Sequence, residues 1–158
     1  MIRFIALLVL MLPMLVRAGL EDGIQAYAEG DYQKALAVFR TLAEQEDIAG
    51  QYYMGFFHHN GYGVPRDEVE AFKWFQKSAN RGHMRSQYYL GIMSAKGQGV
   101  AKDPIAGYKW LAIYALNPAI SERDKHYTME EMKQVAKKLS PEDVQKAIAM
   151  AKEWKPVE

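Results

Sequence analysis

The chain has 158 residues, 49% of them hydrophobic, with 20 Lys and Arg against 19 Asp and Glu for a formal net charge of +1. That is enough apolar material for one continuous core. The near-neutral balance, without a basic run, leaves no electrostatic footprint for nucleic acid, and the complete lack of cysteine excludes disulfides and thiol chemistry.

The first eighteen residues read as a targeting segment rather than as part of the fold. Met1-Ile2-Arg3 is a short positive start, Phe4 to Val16 is apolar, and Val16-Arg17-Ala18 places small residues at −3 and −1 of a cut. This is the pattern of a secretory signal peptide cleaved after Ala18, since the apolar run falls short of the roughly 20 residues a membrane span needs. The expected location is therefore periplasmic or secreted, with no stable membrane insertion after cleavage; an uncleaved anchor is the alternative. The mature chain would keep 18 basic and 19 acidic residues.

Residues 19–50 read as a shortened helix–turn–helix unit, with Gly30-Asp31-Tyr32 as the turn. Next comes a stretch that the chain writes twice. Residues 51–80 shifted by 36 fall on 87–116 with 11 identities in 30, where chance would give about two, and a fixed period of this length marks a stacked repeat. The identities include Gln51/Gln87, Tyr52/Tyr88, Tyr53/Tyr89, Gly55/Gly91, Gly61/Gly97, Gly63/Gly99, Asp67/Asp103 and Trp74/Trp110. Each copy, over 51–86 and 87–120, predicts a helix, a Gly-x-Gly loop and a second helix.

A glycine in mid-helix costs about 1 kcal/mol relative to Ala, so Gly55 and Gly91 imply close approach of a neighbouring helix. Gly61 and Gly97 end the first helices by taking positive φ, and Asp67 and Asp103 stand where N-caps belong, with Pro104 at the first helical position. Ala71, Trp74, Phe75 and Ala79 form the apolar stripe of one second helix; Gly107, Trp110, Leu111 and Ala115 form that of the next. Both tryptophans are expected in the core. The first unit keeps the register: Asp31, Ala35, Phe39 and Ala43 precede Asp67, Ala71, Phe75 and Ala79 by 36. Beyond Asn117-Pro118 the pattern changes. Ser121 caps a helix predicted over Glu122–Leu139, and Ser140-Pro141 starts another running to about Trp154. Residues 121–158 read as a C-terminal helical cap.

Q-Y-x-[LM]-G, then G-x-G-V-x-x-D, then A-x-x-W or its Gly variant and a closing Ala, resembles the Sel1-like repeat, a relative of the tetratricopeptide repeat. The resemblance covers about residues 23–116. It departs from the usual pattern at His58 and Ser94, which stand where an aromatic is customary, and at Gly50, Ser86 and Gly107, where Ala is customary. It implies an all-α fold, a right-handed α/α solenoid of helix-loop-helix repeats, whose first helices line a concave surface that binds protein or peptide.

Catalytic arrangements are missing from the sequence. No serine begins S-x-x-K or lies in G-x-S-x-G, and there is no H-E-x-x-H, P-loop or EF-hand pattern. Adjacent His58 and His59 point about 100° apart on a helix, which suits a metal less than i, i+4 ligands do. His58 is therefore expected to pack and His59 to be solvated, with a zinc or copper site from His59, Asn60 and His83 as the sharper alternative. Glu44, Glu46 and Asp47, and likewise Glu68 and Glu70, read as solvated helix ends.

The expectation is a non-catalytic adaptor without cofactor or metal, monomeric or weakly oligomeric, binding a protein or peptide segment. The partner-binding residues expected are Tyr53, Phe56, His59 and Asn60 on one first helix and Tyr89, Ile92 and Lys96 on the next, with Tyr52, Met54 and Gly55 assigned to packing. Whether the C-terminal helices cover that groove stays open at this level. The alternatives are a cell-wall or β-lactam-related hydrolase and a self-associating structural subunit.

Overall fold

The computed structural model describes residues 19–157; the expected signal segment lies outside the described residues. Among them there are eight helices and no strand: α1 (19–28), α2 (Tyr32–Glu44), α3 (Ile48–Asn60), α4 (Glu68–Asn80), α5 (Met84–Lys96), α6 (Pro104–Leu116), α7 (Glu122–Ala136) and α8 (Pro141–Glu153). Neighbours in sequence are neighbours in space through α2–α3, α3–α4, α4–α5 and α5–α6. The chain thus builds an all-α solenoid of helix pairs.

Local chemistry sets the helix ends. Asp31, Asp47, Asp67 and Asp103 each accept a hydrogen bond from the backbone N–H three residues on, as do Ser121 and Ser140, so each supplies one acceptor for the orphan donors of a first turn. Asp47 is a correction to the sequence reading, because it is the N-cap of α3 and starts that helix at Ile48 rather than Gln51. α3 and α5 stop at Gly61 and Gly97, with φ of 74° and 75°. In both copies the next capping aspartate then donates its backbone N–H to the preceding helix, Asp67 to the His58 carbonyl at 2.9 Å and Asp103 to the Ser94 carbonyl at 2.8 Å.

The core repeats one contact three times. A Cβ added at Gly23 would stand 2.6 Å from the Phe39 ring, one at Gly55 would stand 2.7 Å from the Phe75 ring, and one at Gly91 would stand 2.8 Å from Leu111 Cγ. Each first helix therefore uses a glycine to admit a bulky side chain of its own second helix, and Phe39, Phe75 and Leu111 are all 0% exposed. The next first helix adds a tyrosine to the other side of the ring. Tyr53 stacks on Phe39 at 4.1 Å and 7°, and Tyr89 stacks on Phe75 at 4.6 Å and 1°. Alanines 35 and 71, also 0% exposed, pack in the same clusters as these rings.

One expectation about this core needs correction. Trp110 is buried and meets Trp154 edge-on at 5.8 Å, but Trp74 is only half-buried, with the Lys77 ammonium 4.5 Å from its ring centre. The register that buries Phe75 leaves one edge of its neighbour in water. The C-terminal helices also do not repeat the earlier pairing: α7 and α8 each pack on α6 rather than mainly on each other. α7 ends at Ala136, where the N–H groups of Lys138 and Leu139 tighten into bonds to Val135 and Ala136. Past α8 the chain turns back, and the Val157 N–H donates to the Asn80 carbonyl at 2.9 Å.

Candidate functional site

Ring contacts between α1, α3 and α5 join their aromatic residues into one band across the units. Tyr27 meets Phe56 edge-on at 5.9 Å, Phe56 meets Tyr89 at 6.5 Å, and Tyr89 passes the contact through Tyr88 at 6.0 Å to Tyr114 at 5.5 Å. At the near end Tyr62, from the Gly-x-Gly loop, stacks on Tyr32 at 4.6 Å and 16°. Tyr27, Phe56, Tyr62, Tyr88 and Tyr89 are half-buried, and Tyr32 is 37% exposed. The band is a surface of ring edges and hydroxyls rather than a closed core.

The residues expected at a partner site fall into four positions. Phe56, His59 and Tyr89 come together, His59 being 5.6 Å from Tyr89. Tyr53 lies against Phe39, half-buried, and much of its ring serves packing. Ile92 packs against the buried cluster of Ala95, Leu111 and Val135, while Lys96 reaches Glu131 of α7 at 4.0 Å. Asn60 is exposed and donates its amide to the Phe56 carbonyl at 2.8 Å. Tyr27, Tyr32, Tyr62, Tyr88, Tyr114 and Arg85 share the face without having been singled out from the sequence. Tyr52, assigned to packing, is 5% exposed and still touches Tyr89 at 6.3 Å.

The charged groups on this face are few. Arg85, exposed in the first turn of α5, takes the Tyr52 hydroxyl as its hydrogen-bond partner, and this bond and the phenol's charge raise its pKa. Among the described residues it has no carboxylate within ion-pair distance. Burial, reinforced by Tyr52, pushes Tyr89 up to about 12, so the band stays uncharged at physiological pH.

The histidines depart from the sequence reading. His59 is not simply solvated: its Nδ1 stands 2.8 Å from Glu68, which also binds Arg66. Burial works to raise the Glu68 carboxyl, yet the hydrogen bonds from Arg66 and His59 leave it below its ordinary value. Glu68 is therefore a partnered residue and not a free helix end. His58 has a buried Nδ1 without a hydrogen-bond partner, and burial lowers its pKa. His83 occupies the N-cap of α5, where Asp47 stands one unit earlier, and its Nδ1 accepts from the Ser86 N–H at 3.3 Å. His59, Asn60 and His83 do not assemble, since both imidazoles have other partners, and among the described residues no group of three or more His, Asp or Glu could hold a metal ion.

The His83 cap carries a pH dependence. The ring titrates near 6.5 when free, and in the fold burial and then the Arg85 charge lower it to about 4, against a smaller opposing effect of Asp47. The fold holds the neutral form, so this contribution is complete above about 6.5 and is lost as the pH falls toward 4. Discounted for partial exposure, the loss is on the order of 2 kcal/mol. We expect denaturant melts of the wild type to lose stability over that window by about this amount more than His83→Asn, whose amide caps without titrating. Parallel curves for the two proteins would refute it.

The aromatic band, its few charges and its length across three units suit contact with another polypeptide. The comparisons agree with that architecture. The Sel1 repeat family model matches residues 48–83 and 85–114. Among solved structures, a protective antigen present in uropathogenic Escherichia coli strains and displaying an SLR fold is similar at 25% identity and a TM-score of 0.78, over 88% of this chain and 29% of that one. A Sel1 repeat protein from Oxalobacter formigenes is similar at 23% identity and a TM-score of 0.64, over 86% of this chain and 56% of that one. The chain thus spans less than two thirds of the length of either. No curated protein sequence matches it. Sel1 repeat proteins generally mediate protein–protein interaction and typically act as non-catalytic scaffolds. The chain thus carries two tandem Sel1 repeats, over residues 48–83 and 85–114, within the helical-repeat fold that these solved structures share.

Proposed function

We propose that this protein is an exported, non-catalytic adaptor that holds a protein or peptide segment along the face formed by α1, α3 and α5. The observation that carries the reading is the continuous band from Tyr32 to Tyr114, half-buried along most of its length, buried at Tyr114, and crossing three units. Aromatic side chains give large contact area at small entropic cost, which is why they anchor interfaces. The phenol hydroxyls and the Arg85 guanidinium add hydrogen-bond donors that an extended backbone can use. Export rests on the signal-peptide pattern of the first eighteen residues; among the described residues no helix is long and apolar enough to cross a membrane.

Site-specific photo-crosslinking tests the face without cutting into the packing. Asn60 and Lys96 are exposed at its edge, and Lys73 and Gln76 are exposed on α4. We expect one partner to crosslink from positions 60 and 96 and not from 73 and 76, in cells fractionated so that the mature chain, beginning at Gly19, is found outside the cytoplasm. A partner captured equally from α4, or none from either edge position, would remove the assignment of this face.

A further inference from the structure

Where the aromatic band ends, α5, α6 and α7 border a half-open pocket of about 230 Å³ lined by Tyr88, Tyr114, Asp124, Tyr127 and Thr128. Small-molecule sites usually run to roughly 300–1,000 Å³, so this one suits a single side chain better. Its lining is three tyrosine rings, one carboxylate and Thr128, whose hydroxyl is already given to the Asp124 carbonyl.

Asp124 has a fixed backbone and, among the described residues, a carboxylate free of a counter-ion. Asp124 donates its backbone N–H to Ser121 Oγ at 3.1 Å and its carbonyl accepts from the Thr128 hydroxyl at 2.7 Å, which holds the residue at both ends. Its side chain makes no return bond to the Ser121 N–H and, among the described residues, no ion pair. It still acts on the cavity: burial first, then the Asp124 charge, raises the Tyr114 phenol, with Arg85 opposing, and burial, Glu131, Tyr114 and Asp124 together raise that of Tyr88. Tyr127 is 60% exposed. It stands six residues past its N-cap, as Tyr53 and Tyr89 do past theirs. Those two stack on phenylalanines, but the ring position that would receive Tyr127 holds Leu111, and Met129 stands on α7 close to where α3 and α5 carry their glycines. The third tyrosine is thereby left unstacked at the rim.

We propose that this pocket receives one basic side chain, lysine or arginine, of a protein partner lying along the α1–α3–α5 face. The tyrosine faces attract a cation by their quadrupoles, more strongly where water is partly excluded, and Asp124 supplies the charge that turns that preference into a fixed orientation. The inference rests on the groove reading and adds a signature to it, a basic residue in the bound segment.

The test is an NMR titration of the full chain with labelled tyrosine rings, using a capped Gly-Lys-Gly peptide, its arginine and norleucine counterparts, and tetramethylammonium. The lysine and arginine peptides should shift the Tyr88, Tyr114 and Tyr127 signals saturably, and the norleucine peptide should not. Asp124→Asn, which keeps a side chain tolerated in a first turn, should weaken binding about tenfold, and Tyr127→Leu should weaken it with the melting temperature unchanged. Equal binding of norleucine, or an unchanged affinity in Asp124→Asn, would overturn the proposal. So would tetramethylammonium binding more tightly than both basic peptides, which would assign the pocket to a small organic cation, or signals that move with protein concentration alone, which would assign it to a second copy. If the peptides fail while a partner still crosslinks from Asn60, the pocket falls and the groove stands; if the peptides bind and no partner crosslinks there, the placement along the face falls.

Discussion

Replacing Phe75 by Ala is expected to destabilise the protein by about 3–5 kcal/mol, the range for emptying a fully buried aromatic site. The ring is 0% exposed and meets residues of two units at once, its own and the next. Its edge fills the notch left by Gly55 of α3, its face lies parallel to Tyr89 of α5 at 4.6 Å, and Tyr52 stands 6.0 Å away. Removing it takes away the apolar burial and the stack, itself worth about 0.5–1.5 kcal/mol. The hole cannot close by collapse, because the glycine opposite has no side chain to move in. Urea melts should show the loss in the midpoint. Trp74→Ala in the same helix is the internal comparison: the larger side chain is only half-buried, so its loss should be the smaller of the two. A Trp74 variant that costs more than the Phe75 variant would refute the account of the core.

That comparison shows where the sequence is a good guide. Asp67, Asp103, Ser121 and Ser140 were legible as caps because a cap is a matter of three or four consecutive residues. Gly55 and Gly91 were legible because the chain repeats them at one spacing, and a repeated helical glycine has few physical explanations. Gly23 does the same work against Phe39 but precedes Gly55 by 32 residues instead of 36, so a fixed period passes over it. Tyr127 was missed for a related reason, since the N-caps of α5 and α7 are 38 residues apart. Asp47 was hidden among other acidic residues, and only the backbone conformation separates the cap from its solvated neighbours.

The candidate site was less legible than the fold because its face depends on tertiary geometry. Helical spacing places Tyr52 and Tyr53 about 100° apart, as if one packs and the other is free. α3 is flanked by α2 and α4 and touched by rings of α1 and α5, so both tyrosines have neighbours. The pairing of His59 with Glu68 crosses the Gly-x-Gly loop, a return path that periodicity alone does not trace. Tyr62 joins the aromatic band from within that loop, and its counterpart one unit on is Gln98, so the repeat itself gives no hint of the contact.

The joint between units makes the second large prediction. Gly99 has a φ of 67°, and a Cβ there would stand 2.0 Å from the Glu68 carbonyl oxygen and 2.8 Å from the Val69 nitrogen, all backbone atoms at the start of α4. Gly63 stands over Tyr32, at the start of α2, in the same way but less closely, at 2.9 Å. Each Gly-x-Gly loop therefore rests on the preceding unit's second helix, backbone on backbone. Gly99→Ala meets both a left-handed conformation, costing about 1–2 kcal/mol for an L-residue, and an overlap no rotamer change can relieve, costing about 1–3 kcal/mol more. A loss of about 3–4 kcal/mol is expected in urea melts. Gly30→Ala separates the two contributions, since its φ is 81° and nothing lies within 4 Å of the added carbon. It should lose only the conformational part, about 1 kcal/mol. If the two variants melt alike, the loop does not bear on α4 and the units are joined by the ring stacks alone. If Gly99→Ala is the more severe, the second glycine of each Gly-x-Gly loop sets how closely one repeat can sit on the last.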